Sequence, residues 1–253
     1  MNGAFYIAAT GIDAQQRALD IAANNIANIN TSGFKRSSLQ FSDLLMPESD
    51  EGAMLVHEAH PIGVAPSESL QIWDQGSLRQ TGDSMNLAVD GEGLIEMIGP
   101  GGRALLWRGG TIKVNADGYL AAGDGTLFRA MISVPQDATE LRIAQDGTVT
   151  ALVSGDDSEV KLGQLDLLVA RDKSNLRQVG SGYYEAGDDS ELIAVTPGEE
   201  QAGRLVQGAL EGANVQLSDE MVSLLLVQRA YSANAQVLQA GDQIMSIINN
   251  LRH

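Results

Sequence analysis

A few short stretches carry residue types that could do chemistry. His57-Glu58-Ala59-His60 brings two imidazoles and a carboxylate together, the donor types of a zinc site. It is one residue short of the His-Glu-x-x-His spacing that puts both imidazoles on one helical face. No third ligand stands out, and the alternative reading is a polar extended connector. Asn115-Ala116-Asp117-Gly118 resembles a calcium loop, but its glycine comes too early and no glutamate follows in register. A hairpin turn is the better reading. Gly91-Glu92-Gly93 lacks the third glycine of a dinucleotide loop and does not clearly open a helix. Neither a Walker sequence nor a Gly-x-Ser-x-Gly elbow occurs. Acidic residues are numerous enough to hide a glycosidase-like carboxylate pair, yet spacing singles out no two of them. No catalytic, cofactor-binding or metal-ligating residue is therefore expected, and no cofactor.

The elements that would have to position any site are easier to read. At the C-terminus, from Ser218 to Leu251, Val222, Leu226, Ala230, Ala233, Val237, Ala240, Ile244, Ile247 and Leu251 recur at steps of 4,4,3,4,3,4,3,4, a small-and-apolar seam at the coiled-coil period. Leu217, Leu224, Tyr231, Leu238 and Met245 make a second line every seventh residue, more apolar surface than one partner covers. Ser218 is placed to cap this helix, with Asp219 and Glu220 in its first turn. Gln228, Arg229 and Asn234 either fix register between helices or face water. At the N-terminus, Ala4, Ile7, Gly11, Ala14, Ala18, Ile21, Asn25 and Asn28 form one stripe, and Ile12, Leu19, Ala22, Ile26 and Ile29 another. This helix is expected to end at Asn30-Thr31-Ser32-Gly33-Phe34, where a glycine can take positive φ. The two terminal helices are expected to pair, parallel or antiparallel, in a coiled-coil-like core.

Between them the pattern changes. Residues 38–83 read as an extended connector, with Phe41, Leu44 and Leu45 able to add a helical turn and Met46–Gly52 an exposed loop. From residue 84 to 204 come short apolar runs: Asn86–Gly91, Thr111–Asn115, Glu140–Ile143, Thr148–Ala151 and Leu165–Val169. Asp117-Gly118, Asp124-Gly125 and Asp146-Gly147 mark hairpin turns, and Ser154–Ser158 an acidic loop. The expected fold class is α+β: a core domain built from residues 1–37 and 205–253, the connector 38–83, and a central β domain over 84–204.

Charge sharpens this division. The net charge is −17, of which residues 1–40 hold +1 and residues 205–253 hold −2. Near-neutral ends suit burial or self-association, and an acidic middle suits solvation. No basic patch exists to displace counterions from phosphates, so nucleic acid is not an expected partner. With 0 cysteines there is neither a disulfide framework nor thiolate chemistry. No apolar run is long enough for a membrane span, and residues 1–12 lack the basic leader and apolar core of a cleaved secretory signal.

Ile21-Ala22-Ala23-Asn24-Asn25-Ile26-Ala27-Asn28-Ile29-Asn30-Thr31-Ser32-Gly33-Phe34-Lys35 resembles the N-terminal signature of the bacterial flagellar rod and hook proteins. Further stretches agree: Gln75–Gly82 with Leu87–Gly93, Asn115–Leu120, and Gly208–Val215 running into Glu220-Met221 and Val227–Tyr231. The last is most similar to the distal-rod branch. Three places depart from the family pattern: Gly93-Leu94-Ile95 and Leu106-Trp107-Arg108 stay apolar and bear on β-domain packing, and the segment between Phe34 and Gly76 is shorter than distal-rod members usually carry. The resemblance implies a structural subunit without enzymatic activity. It stacks helically with its own copies into a hollow drive shaft that carries torque from motor to hook. Implied partners are other rod proteins, the hook protein, the P- and L-ring proteins and the flagellar type III export apparatus. Implied location is the basal body, reached without a cleaved signal. The motif residues carried over are Asn24, Asn25, Asn28, Gly33, Phe34, Gln228, Arg229 and Tyr231. The packing seam runs through Leu226, Ala230, Ala233, Val237, Ala240, Ile244, Ile247 and Leu251. A proximal-rod subunit is the alternative within the family; a secreted β-rich enzyme or a binding module whose helices dimerise is the alternative outside it.

Overall fold

The computed structural model describes residues 2–45, 61–153, 156–180, 182–187, 190–199 and 202–251. The expected loop Met46–Gly52 and the His57–His60 stretch lie outside them. The chain divides into two compact units, one of Met1–Ala27, Ser37–Ile72 and Gln216–His253, the other of Asn28–Arg36 and Trp73–Val215.

In the first unit, helix α1 spans Asn2–Ala27 and helix α2 spans Leu217–Leu251. The start of α2 precedes Ser218, so the expected cap lies inside the first turn, beside Asp219 and Glu220. Two glycines set the approach of the helices. A Cβ on Gly11 would stand 2.7 Å from the Asn234 side chain, and one on Gly241 would stand 2.7 Å from the Phe5 ring. Residue 5 opposite 241 and 11 opposite 234 means that the helices run antiparallel. Ala8, Ala14 and Ala22 are buried along α1, which packs against both α2 and a hairpin. That hairpin corrects the helical turn expected at Phe41, Leu44 and Leu45: β1, Ser37–Leu45, pairs antiparallel with β2, Pro61–Gln71, in register from Ser37 with Gln71 to Leu45 with Pro61. An antiparallel ladder satisfies the backbone from outside the segment, so the local spacing of three apolar residues does not decide the outcome.

The second unit is β. Its main sheet runs from Leu176–Gly180 through Tyr183–Ala186, Ala104–Trp107, Leu94–Ile98, Leu127–Phe128, Leu120–Ala122, Gly109–Val114 and Asn86–Asp90 to Arg204–Gln207. Leu167–Ala170 pairs with Leu94–Ile98 and carries Leu192–Val195. Residues alternate faces along each strand. Ile95, Met97, Leu105 and Trp107 thus join a core with Leu87, Ile112, Phe128, Val149 and Leu205, while Leu94 and Leu106 join Leu176 and Tyr184 on the opposite side. A three-stranded sheet, Ala138–Ile143, Thr148–Val153 and Asp156–Gln164, sends Leu141, Ile143 and Val149 into the first core. Of the expected acidic loop Ser154–Ser158, Asp156 to Ser158 are strand and Ser154 and Gly155 lie outside the described residues, while the strand expected at Leu165–Val169 occupies Leu167–Ala170. The three Asp-Gly turns form as read, with positive φ at Gly118, Gly125 and Gly147.

Candidate functional site

The signature segment 28–36 belongs to the β unit. Thr31 N–H donates to the Asn28 carbonyl at 2.9 Å and the Thr31 hydroxyl to Asn28 Oδ1 at 3.2 Å. Gly33 then turns the chain with φ of 71°, and a Cβ there would meet the Arg108 side chain at 3.1 Å. Phe34 and Lys35, each 1% exposed, enter the core. Tyr184 donates its hydroxyl to the Gly33 carbonyl at 2.9 Å and stacks, tilted, on Trp73 with ring centroids 4.7 Å apart. Burial pushes that phenol's pKa up.

An ionic cluster closes the segment. Lys35 Nζ donates to Glu211 Oε1 at 2.7 Å and to the Asp74 carbonyl at 2.8 Å. Arg108 Nε donates to Glu211 Oε2 at 2.7 Å, and its remaining nitrogens donate to the carbonyls of Gly93, Val89 and Gly91. The Gly76 N–H donates to Glu211 Oε1 at 3.0 Å, and the Gly33 N–H to the Glu211 carbonyl at 2.9 Å. Asn214 Oδ1 accepts the Arg36 N–H at 2.6 Å. A side chain on Gly76 is impossible: its Cβ would lie 1.9 Å from the Gly212 carbonyl oxygen. Burial lowers the pKa of Lys35, against the Glu211 carboxylate, which raises it.

In the first unit Asn25, 1% exposed, donates from Nδ2 to the Ser37 carbonyl at 2.8 Å and accepts the Ser37 N–H on Oδ1 at 2.9 Å. This one side chain imitates a strand partner and ties the start of β1 to the end of α1. Asn24, Gln228, Arg229 and Tyr231 are exposed on their helices. On α2 Asn234 and Gly241 face α1, and Leu224, Val227 and Leu238, at heptad-like spacing from them, are half-buried. The expected seam points elsewhere. Leu226 is 61% exposed, Val237 and Ile244 50%, and Ile247 58%; Ala233 and Ala240 are exposed, and Ala230 is half-buried. The side chain of Leu251 is outside the described ones.

Sites with a catalytic look resolve into structure. Asn115 Oδ1 accepts the N–H groups of Asp117 and Tyr119 at 3.0 and 2.8 Å, which is turn chemistry. Glu140 and Glu159 flank a recess of about 10 Å³, but the Arg142 guanidinium lies 3.8 and 2.7 Å from them, an exposed ion-pair network. A cleft of about 200 Å³ is lined by Thr31, Trp107, Gly110, Asp124 and Tyr183 among others, with one carboxylate. Among the described residues no His/Asp/Glu group is arranged to hold a metal, and no helix is long and apolar enough to cross a membrane.

What sequence reasoning missed is the role of Lys35, Gly76, Arg108, Tyr184, Glu211 and Asn214. The available signal was a charge set among small and apolar residues: Lys35 directly after Phe34, a lone Arg108 after Trp107, and a lone Glu211 between Leu210 and Gly212.

Comparison with known proteins covers most of the chain. Residues 5–35 match the family "Flagella basal body rod protein", residues 88–151 "Flagellar hook protein FlgE/F/G D1 domain", and residues 206–251 "Flagellar basal body rod FlgEFG protein C-terminal". The flagellar basal-body rod protein FlgG of Agrobacterium fabrum is 35% identical over 97% of this chain and 98% of its own length. The protein of that name from Caulobacter vibrioides is 31% identical over 97% of each. That from Borreliella burgdorferi is 30% identical over 100% of this chain and 99% of its own.

Proposed function

The chain belongs to the family of flagellar basal-body rod proteins, and from that premise we propose that its copies stack helically into the distal segment of the rod, with the α2 seam as the contact between copies. It is a structural subunit of the basal-body rod, not an enzyme, and part of the flagellum alongside other rod and hook proteins.

The observation that carries the proposal is the exposed apolar row on α2. Leu226, Val237, Ile244 and Ile247 are half or more exposed in the subunit although α1 already covers another face. A helix with two apolar faces and one partner has a second partner to find. A head-to-tail contact that does not close a ring grows a filament rather than a dimer. On this reading α1 and α2 form a coiled-coil-like core, the shaft carries torque to the hook, and the P- and L-ring proteins surround it. The subunit leaves the cytoplasm through the flagellar type III apparatus without a cleaved signal. Full-length similarity to relatives named FlgG supports the distal position.

Deleting the gene should leave cells without hook and filament, and a labelled, complementing copy should mark the hook-proximal end of isolated rods. Normal swimming of the deletion strain refutes the rod assignment as a whole. Label at the membrane-proximal end refutes only the distal position and selects the proximal rod.

A further inference from the structure

Stretches far apart in the chain end on one carboxylate. Glu211 takes Lys35 from 176 residues away, Gly76 from 135 and Arg108 from 103. Two cations meet one anion in a site where all three side chains are at most 3% exposed. The other polar contacts of Lys35 and Arg108 are to carbonyls. Among the described residues Glu211 is the one carboxylate in ion-pair contact with either. It sits on the short strand Ala209–Glu211, paired with Leu78–Gln80, directly ahead of the segment leading into α2. The larger core of the β unit, with Leu120, Phe128, Val149 and Leu167, includes none of Lys35, Arg108 and Glu211.

We propose that Glu211 is a chain-completion latch: the signature segment 28–36 and the strap 73–77 close onto the β unit only when the segment carrying Glu211 is in place. Before that, closure would bury Lys35 and Arg108 with no counter-charge, which desolvation forbids. The signature therefore stays open on an incomplete chain and is sealed on a complete one, so that a subunit presents a finished N-terminal junction only after its C-terminal part has arrived. This inference does not depend on the rod position proposed above.

The test uses the purified full-length chain and amide hydrogen exchange. In pulse-labelled refolding, the amides of Gly33 and Gly76, which bond to Glu211, gain protection in one phase with Gly212, which bonds to Ser77. That phase follows protection of Leu120 and Ala122, which bond within the β unit. Protection of Gly33 before Gly212 overturns the proposal. At equilibrium, Glu211→Gln speeds exchange at Gly33, Arg36 and Gly76 by about tenfold or more and leaves Leu120 and Ala122 within about threefold. Lys35→Met, which leaves one cation against one carboxylate, changes Gly33 and Arg36 by less than about threefold. Equal disruption by the two variants, or none by Glu211→Gln, overturns the charge argument. Should Glu211→Gln fail to fold, the triple variant Lys35→Met/Arg108→Met/Glu211→Gln, which removes all three charges of the cluster, decides: regained folding with protected Gly33 supports the latch, and continued failure overturns it.

Discussion

Replacing Leu226 by serine tests the contact between copies where its size can be worked out. Leu226 is 61% exposed in the subunit, and it lies off the α2 face that meets Phe5 and Gly11. Full burial of a leucine is worth about 1.5–3 kcal/mol. Removing the remaining three-fifths from water on assembly therefore contributes about 1–2 kcal/mol, a factor of roughly 5–30 in an equilibrium constant. Serine retains none of that apolar area, and its lower helix propensity costs only about 0.5 kcal/mol in a helix of 35 residues. The concentration at which purified subunits begin to polymerise should rise by about that factor, measured by sedimentation, with helix content followed by circular dichroism. Ala233→Leu on the same row should act through overpacking, about 1–3 kcal/mol. An assembly threshold shifted less than about twofold by both, with helicity unchanged, refutes the seam as a contact. It would place that face toward the central channel instead.

Two further expectations concern the isolated subunit. Burial holds the Lys35 ammonium below its ordinary 10.5, so as pH rises toward that value the unfolded chain keeps a proton that the folded chain has shed, and stability rises. Burial raises the phenols of Tyr183 and Tyr184 above 10.0; past that pH the unfolded chain sheds protons the folded chain keeps, and stability falls. Denaturant midpoints recorded between about pH 8 and pH 11 should pass through a maximum, and Lys35→Met should remove the rising limb but not the fall. Asn25→Ala strands the partly buried Ser37 N–H and carbonyl, a loss of about 1–3 kcal/mol. It should appear as faster amide exchange at Ser37 and a lower unfolding midpoint for the helical unit; a wild-type rate at Ser37 would show that water replaces the amide.

Local signals in this chain were legible because their causes are local. Asp117-Gly118, Asp124-Gly125 and Asp146-Gly147 turn where glycine supplies positive φ and a nearby side chain, Asn115, Asp124 or Asp146, accepts a backbone N–H of its own turn. The terminal helices follow from apolar spacing alone. Where the partner is remote, spacing misleads: Phe41, Leu44 and Leu45 fit a helical turn, yet their segment is half of a ladder whose other half begins at Pro61. The seam on α2 was legible as a pattern, but which of its two lines faces α1 depends on Gly11 and Gly241, whose missing side chains decide the approach. Least legible was the cluster at Glu211. A lone charge in a motif looks like solvated surface, and only the fold brings Lys35 and Arg108 to it.

The two helix glycines have a mechanical side. Gly11 and Gly241 each sit inside a helix, where glycine is destabilising by about 0.5–1 kcal/mol against alanine, and each lets a partner side chain rest on bare backbone at a distance no Cβ would permit. A long side chain between two rods is a swivel: it can change rotamer and absorb rotation before passing any on. Backbone seated directly under the Phe5 ring and the Asn234 amide leaves little such play. If the rod carries torque as proposed, low backlash matters as much as strength, and these glycines then exchange some thermodynamic stability for torsional stiffness.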